Sequence, residues 1–166
     1  MPRGLRIGVV GAGPAGLLFA LLAKRRNPQN LVVVLEQNAP DATFGFGVVF
    51  SAGALAFLER DEPAIYAALT AAMQTWPVQK IVHRDQAVIV DGNGFSAISR
   101  LELLQLLQRM AVERDVELRF GRPAQGLADF AGFDLVVGAD GINSLVRNLH
   151  TQRFRPRIDT LTNKFV

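Results

Sequence analysis

Three glycines and one acid near the start of the chain have the residue types and the spacing that bind a dinucleotide. Gly11, Gly13 and Gly16 form a G-x-G-x-x-G pattern, and Glu36 follows Gly16 by twenty residues. In this pattern the first glycine permits a tight turn and the second lets the backbone approach a pyrophosphate. The third lets a helix pack close to a strand. The spacing therefore predicts a binding site for a diphosphate.

The residues around these glycines would complete that site. Pro14 and Ala15 lead into a helix, whose first N–H groups have no intrahelical partner and can bind an anion. Glu36 would accept hydrogen bonds from both ribose hydroxyls and would repel a 2′-phosphate, and Gln37 is a further candidate contact. The pattern thus favours FAD or NAD over NADP. The alternative is a structural turn that binds nothing.

An alternation of strands and helices must position these residues. Apolar runs predict four parallel strands, at about residues 5–10, 31–36, 116–120 and 134–138, and a helix at about 14–26 after the first of them. The strand at 31–36 is expected to be buried on both faces, as parallel strands are. This order predicts an α/β fold with a parallel sheet.

The middle of the chain departs from a simple doubly wound order. Residues 38–50 are predicted to be a long connection, followed by helical stretches at about 52–60 and 62–73. Two β-branched runs, at about 78–83 and 86–90, predict an antiparallel hairpin within an insertion at about 75–95. Ser99 and Glu102 then have the spacing of a capping box at the start of a helix.

A second glycine-containing segment follows the last predicted strand. Residues 134–147 read DLVVGADGINSLVR, so Asp140 and Gly141 would lie at the C-terminal end of a strand, where open α/β sheets bind ligands. Aspartate is also a common helix N-cap. Asp140 therefore has two interpretations, a ligand contact and a cap for the following helix.

Composition excludes several other kinds of site. The 166 residues include no cysteine and only two histidines, so disulfides, thiol catalysis and a histidine metal site are not expected. The net charge of +3 is too small and too dispersed for a nucleic-acid surface. A basic C-terminal stretch is interpreted as a solvated or partner-facing tail, or alternatively as a phosphate-binding strip. The uncharged run at 7–23 is interpreted as a buried strand and helix rather than a membrane span, and a cytoplasmic location is expected.

Together the motifs resemble the flavoprotein aromatic hydroxylases, the single-component FAD monooxygenases. That family has the glycine pattern, an acid after strand two, an arginine that opens a mid-domain helix (Arg100 in ISRLELLQLL) and a GADGxxSxVR segment. Three further segments, DATFGFGVVFS, GNGFSAISRLELLQLL and IDTLTNKFV, are similar to the branch that acts on aromatic acyl-CoA thioesters. Salicylyl-CoA hydroxylases and anthraniloyl-CoA monooxygenases belong to that branch, which has tryptophan where this chain has Phe46. A tryptophan hydroxylase of pigment biosynthesis is similar as well.

The resemblance implies a Rossmann-like FAD-binding domain of the glutathione-reductase type, with NADPH or NADH as transient reductant. The substrate would be a small aromatic molecule, and the resemblance to the narrower branch implies a CoA thioester. Arg100 would reach the flavin diphosphate or ribityl chain, or would be a surface cation. The loop around Phe46 and Gly47 would lie near the isoalloxazine ring, or would be an ordinary hydrophobic connection. No catalytic acid or base is nominated, and His83 is expected to be solvated or in the core.

The resemblance also implies that the chain is the N-terminal part of a longer enzyme. The family continues with a substrate-covering sheet, a second flavin-contacting motif and a C-terminal region, and residues from about 150 to 166 would begin that missing segment. The piece alone is expected to be a poor hydroxylase. Two other interpretations remain open: an NAD-binding oxidoreductase domain and a non-catalytic dinucleotide-binding module.

Overall fold

The computed structural model describes residues 3–92 and 94–162. These residues form two compact units. The first consists of two segments of the chain, the one that ends at Asn38 and the one that begins at Arg114, and the second runs from Ala39 to Glu113. Within the described ranges, no helix has the length and apolar character needed to cross a membrane. Asn93 of the segment GNGFSAISRLELLQLL and the last four residues of IDTLTNKFV lie outside the described residues.

The chain forms nine strands among the described residues. In chain order they are β1 (Arg6–Val10), β2 (Leu31–Leu35), β3 (Gly47–Ser51), β4 (Gln74–Trp76), β5 (Gln79–His83), β6 (Gln86–Val90), β7 (Phe95–Ser99), β8 (Glu117–Arg119) and β9 (Leu135–Gly138). The α-helices are α1 (Pro14–Arg26), α2 (Ala52–Asp61), α3 (Pro63–Ala71), α4 (Arg100–Glu113), α5 (Leu145–Leu149) and α6 (Thr151–Phe154).

The first unit contains a four-stranded parallel sheet in the order β8-β2-β1-β9. The predicted α/β fold with a parallel sheet is confirmed, and so are the predicted positions of β1, α1, β8 and β9. Val9, Leu17 and Val34 are fully buried and form part of the core between α1 and the sheet. Because β1 and β9 are parallel neighbours, the segments that follow them emerge at the same edge of the sheet.

The expectation that β2 is buried on both faces is wrong. Val32 and Val34 are buried, whereas Leu31 is 62% exposed. Successive side chains of a strand point to opposite faces, and the burial of β2 follows that alternation. Only one face of this strand is fully packed by the described residues.

The second unit contains an antiparallel sheet in the order β3-β7-β4 and a separate hairpin of β5 and β6. The hairpin is confirmed, and Arg84 and Asp85 make its turn at φ 48° and 64°. The prediction of residues 38–50 as connection is wrong at its end, because Gly47–Ser51 is a strand that pairs with β7. Strands β4 and β7 were not predicted.

Helix α4 is anchored at its start by the serine half of the predicted capping box. Ser99 Oγ accepts a hydrogen bond from the backbone N–H of Glu102 at 3.1 Å. The backbone N–H of Arg100 donates to the carbonyl of Phe46 at 3.1 Å, just before β3. The register between β3 and β7 therefore places Arg100 beside the loop that precedes β3.

Candidate functional site

Two of the three motif glycines are required by the fold itself. Gly11 has a φ of +99°, and a Cβ there would lie 2.5 Å from the carbonyl oxygen of Ala139. A Cβ on Gly16 would lie 2.0 Å from the carbonyl oxygen of Gly11. The turn after β1 and the start of α1 are thus packed too closely for any side chain at these two positions.

Gly13 differs from its two neighbours in the motif. Its φ of −70° and ψ of 174° are open to any residue. A Cβ at this position would meet no heavy atom within 4 Å in the described chain. Neither backbone conformation nor packing therefore explains glycine here, and the space in front of the turn is open to a ligand.

The start of α1 faces that open space with N–H groups that have no hydrogen-bond partner among the residues that the structure describes. The first intrahelical bond runs from the N–H of Leu17 to the carbonyl of Gly13 at 3.0 Å, so the N–H groups of Ala15 and Gly16 precede it. Pro14 has no N–H, the Gly13 N-cap offers no side-chain bond, and the first turn carries no acid. The positive end of the helix dipole and these donors together make an anion site.

Glu36 lies directly after β2 and holds the glycine turn. The Oε2 atom of Glu36 accepts the backbone N–H of Ala12 at 2.8 Å. Its Oε1 atom accepts two donors of Asn38, the backbone N–H at 2.9 Å and the side-chain amide Nδ2 at 2.8 Å. The carboxylate is half-buried, whereas the neighbouring Gln37 is exposed. Sequence reasoning found Glu36 but missed Asn38, and the only signal was an amide side chain two residues after the acid.

Asp140 lies beside the same turn, since a Cβ on Gly11 would lie 3.0 Å from the Cα of Asp140. The side chain caps the segment that follows. Oδ1 accepts the hydroxyl of Ser144 at 2.6 Å, and Oδ2 accepts the N–H groups of Leu145 and Val146 at 2.6 and 3.3 Å. Of the two interpretations, the capping one is therefore present in this structure. Gly141 follows at φ +73° and is exposed.

The capping network makes a stability prediction that does not depend on any ligand. Replacing Asp140 by alanine removes the acceptors of three donors, so we expect the free energy of unfolding to fall by about 1–3 kcal/mol. Urea denaturation of the ligand-free protein measures this loss. Asp159→Asn is the control, since within residues 3–92 and 94–162 Asp159 pairs with exposed Arg157 alone and such a change is worth about 0.5 kcal/mol or less. Equal stability of the two variants would contradict the capping role.

The remaining candidates lie in the second unit. Phe46 is fully exposed, at 101%, and Gly47 begins β3, where a Cβ would lie 3.0 Å from the carbonyl oxygen of Ile98. Arg100 is half-buried, and its Cδ lies 4.0 Å from the position of a Cβ on Gly45. Its guanidinium makes no hydrogen bond or ion pair with the part of the chain that the structure describes. The exposed ring of Phe46 thus lies in the loop before β3, and the Arg100 side chain lies beside this loop at the start of α4.

The other expectations concern single residues. His83 is exposed at the end of β5, which agrees with a solvated histidine. No group of three or more His, Asp or Glu side chains that could hold a metal ion occurs within residues 3–92 and 94–162.

The chain is similar to two curated monooxygenases. It is 39% identical to salicyloyl-CoA 5-hydroxylase of a Streptomyces species over 162 residues, which are 98% of this chain and 31% of that enzyme. It is 31% identical to 3-hydroxy-4-methyl-anthranilyl-[aryl-carrier protein] 5-monooxygenase of Streptosporangium sibiricum, over 90% of this chain and 42% of that enzyme. The chain therefore spans less than half the length of these relatives. No family model matches the chain.

Solved structures show the same fold. A variant of 2-methyl-3-hydroxypyridine-5-carboxylic acid oxygenase superposes with a TM-score of 0.75 at 25% identity, over 89% of this chain and 42% of that one. PqsL of P. aeruginosa superposes with a TM-score of 0.73 over 98% of this chain, at 19% identity. The predicted fold and the predicted resemblance to aromatic hydroxylases, including the branch named for an acyl-CoA substrate, are confirmed.

Proposed function

We propose that this chain, which is similar over nearly its whole length to part of salicyloyl-CoA 5-hydroxylase, carries the FAD-binding region of an aromatic-ring monooxygenase. One observation supports this proposal most directly. Gly13 is the only motif glycine whose absent side chain leaves open space, and that space lies in front of unpaired helix N–H groups. A bound diphosphate accounts for both features, because it needs close backbone approach and several donors.

The residues of the first unit fit the ADP half of FAD. The N–H groups of Gly13, Ala15 and Gly16 would bind the diphosphate, and Glu36 would accept a hydrogen bond from the adenosine ribose. Glu36 also disfavours a 2′-phosphate, because two negative groups would then lie side by side. Asp140 lies beside Gly11, and its Oδ1 has one acceptor position besides the bond from Ser144. Asp140 and the following Gly141 are therefore proposed as further cofactor contacts.

When bound, FAD supplies the chemistry of oxygen activation and transfer to an electron-rich ring. The contribution proposed for this chain is to bind and orient the cofactor. Phe46, Gly47 and Arg100 are proposed as further cofactor contacts, with the uncommitted guanidinium of Arg100 suited to a phosphate. The chain spans only 31% of the length of salicyloyl-CoA 5-hydroxylase. Ring hydroxylation is therefore proposed for the whole protein and not for this part of it alone.

The substrate class follows from the names of the relatives. One is named for a CoA thioester and the other for an aryl group on a carrier protein. We therefore propose an aromatic acyl thioester as substrate, with O2 as co-substrate and NADPH or NADH as the reductant. A cytoplasmic location, where CoA thioesters and reduced nicotinamides occur together, is part of the same proposal.

Titration with flavin tests the proposal. We expect the purified chain to bind FAD saturably at a 1:1 ratio, with a shifted visible absorption band, and ADP to compete with FAD for the site. NAD has the same ADP half but no flavin, so it is expected to compete with FAD more weakly than unlabelled FAD does. Binding of NAD without flavin would instead favour an NAD-dependent oxidoreductase domain, and binding of neither would contradict a dinucleotide site.

A further inference from the structure

The Glu36 carboxylate is held by two donors on one oxygen and one donor on the other. Asn38 occupies Oε1 with both its backbone N–H and its side-chain amide, at 2.9 and 2.8 Å. Ala12 occupies Oε2 with its N–H at 2.8 Å. A carboxylate offers about four acceptor positions. One position therefore remains, and it is on Oε2.

The backbone on either side of this carboxylate is fixed as well. The N–H of Glu36 donates to Arg119 at the end of β8, and the N–H of Arg122 donates to the carbonyl of Glu36, both at 2.9 Å. The carbonyl of Asn38 accepts the N–H of Gly121 at 3.0 Å. Both residues thus continue the parallel pairing of β2 with β8 beyond the last ladder position. Asn38 has a fixed base from which its side chain orients Glu36.

We infer that Asn38 is the positioning residue for Glu36: it occupies Oε1 and leaves Oε2 as the acceptor for a single ribose hydroxyl of the bound adenine nucleotide. This inference rests on the proposed function and narrows it. The sequence pattern alone predicts that Glu36 accepts hydrogen bonds from both ribose hydroxyls. Because the carboxylate already accepts three hydrogen bonds within the chain, it can accept only one more, from one of the two hydroxyls.

The first experiment compares ADP with its 2′-deoxy and 3′-deoxy analogues on the unmodified protein, by calorimetry or by competition with FAD. One analogue should bind about as tightly as ADP. The other should bind roughly 10-fold more weakly, because it lacks the hydroxyl that bonds an ionised acceptor. Equal weakening by both deletions would overturn the single-hydroxyl reading.

The second experiment repeats the three titrations on Asn38→Ala and Asn38→Asp. Each variant should bind ADP roughly 10-fold more weakly, while the sensitive deoxy analogue should lose little further affinity, so that the two changes are coupled. A merely structural role of Asn38 would weaken ADP and the analogue by the same factor. Asn27→Asp is the control for Asn38→Asp. Asn27 lies at the C-terminal end of α1, away from the proposed diphosphate site, and the aspartate retains the oxygen that accepts the N–H of Gln29.

The outcomes separate the inference from the function on which it rests. Binding of ADP and FAD with no coupling between Asn38 and a ribose hydroxyl would overturn the positioning role and leave the dinucleotide site intact. Absence of binding by ADP and FAD to the unmodified protein would overturn both.

Discussion

A Gly13→Ala chain is expected to fold normally and to bind FAD about 10- to 100-fold more weakly than the unmodified chain. The added methyl group meets no neighbour within 4 Å in the described structure, and the backbone conformation of Gly13 is open to alanine. The methyl would instead occupy the space proposed for the diphosphate, where overpacking costs about 1–3 kcal/mol of binding free energy. Fluorescence titration with FAD measures the affinity, and circular dichroism with urea unfolding checks the fold.

Gly53→Ala provides a matched control for this experiment. Gly53 lies in the first turn of α2, and a Cβ there also meets nothing within 4 Å. The change should leave FAD affinity unaltered and raise the free energy of unfolding by up to about 1 kcal/mol, because alanine is the better helix former. Unchanged FAD affinity in Gly13→Ala would show that the open space in front of the helix is not where the diphosphate binds.

A Gly16→Ala chain is expected to lose about 3 kcal/mol or more of unfolding free energy, whether or not FAD is present. Its Cβ would lie 2.0 Å from the carbonyl oxygen of Gly11 and 3.3 Å from the Cβ of Ala139. The first of these atoms belongs to the backbone, so relief requires α1 to move away from β1. Urea denaturation of the ligand-free protein gives the magnitude.

The contrast between these two substitutions is the stronger result. Both add the same methyl group to the same motif, three residues apart. One is expected to change affinity and the other stability, because one space is open and the other is filled by backbone. A Gly16→Ala chain as stable as the unmodified protein would mean that the helix does not pack on the strand as described.

The sequence was sufficient for the parallel sheet because its strands are marked by continuous apolar runs. Residues 5–10 and 31–36 lie close to β1 and β2, and the helix between them begins at Pro14 and ends at Arg26 as expected. Pro14 fits the first helical turn, and the Asn27-Pro28 pair disfavours continuation. Local signals at both ends of α1 therefore agreed with the global fold.

The second unit was less predictable because its strand pairing is non-local. Val49 of β3 pairs with Ala97 of β7, and Gln74 of β4 pairs with the same residue. Strand β3 begins at the last glycine of the FGFG segment, which locally indicates a loop. Strand β4 has only three residues. These strands are stabilised by pairing with segments far along the chain. The hydrophobic pattern within each strand gives no indication of those distant partners.

The candidate site was predictable in its residue types but not in its hydrogen bonds. Glu36 and Asp140 were both found from their places after strands. The structure adds that Asp140 accepts the first N–H groups of α5 and that Asn38 holds Glu36. The bonds of Asp140 depend on its side-chain rotamer, and those of Glu36 and Asn38 depend also on a neighbouring strand, β8, that lies more than eighty residues further along the chain. Sequence spacing carries no information on either.

The most direct test of the account follows backbone amide resonances while ADP is added to isotopically labelled protein. The largest shifts are expected at Gly13, Ala15 and Gly16, where the N–H groups are proposed to bind the diphosphate, and they are expected to saturate with a single affinity. If these three amides did not move at saturating ADP while resonances elsewhere did, the proposal that the start of α1 binds the nucleotide would be wrong.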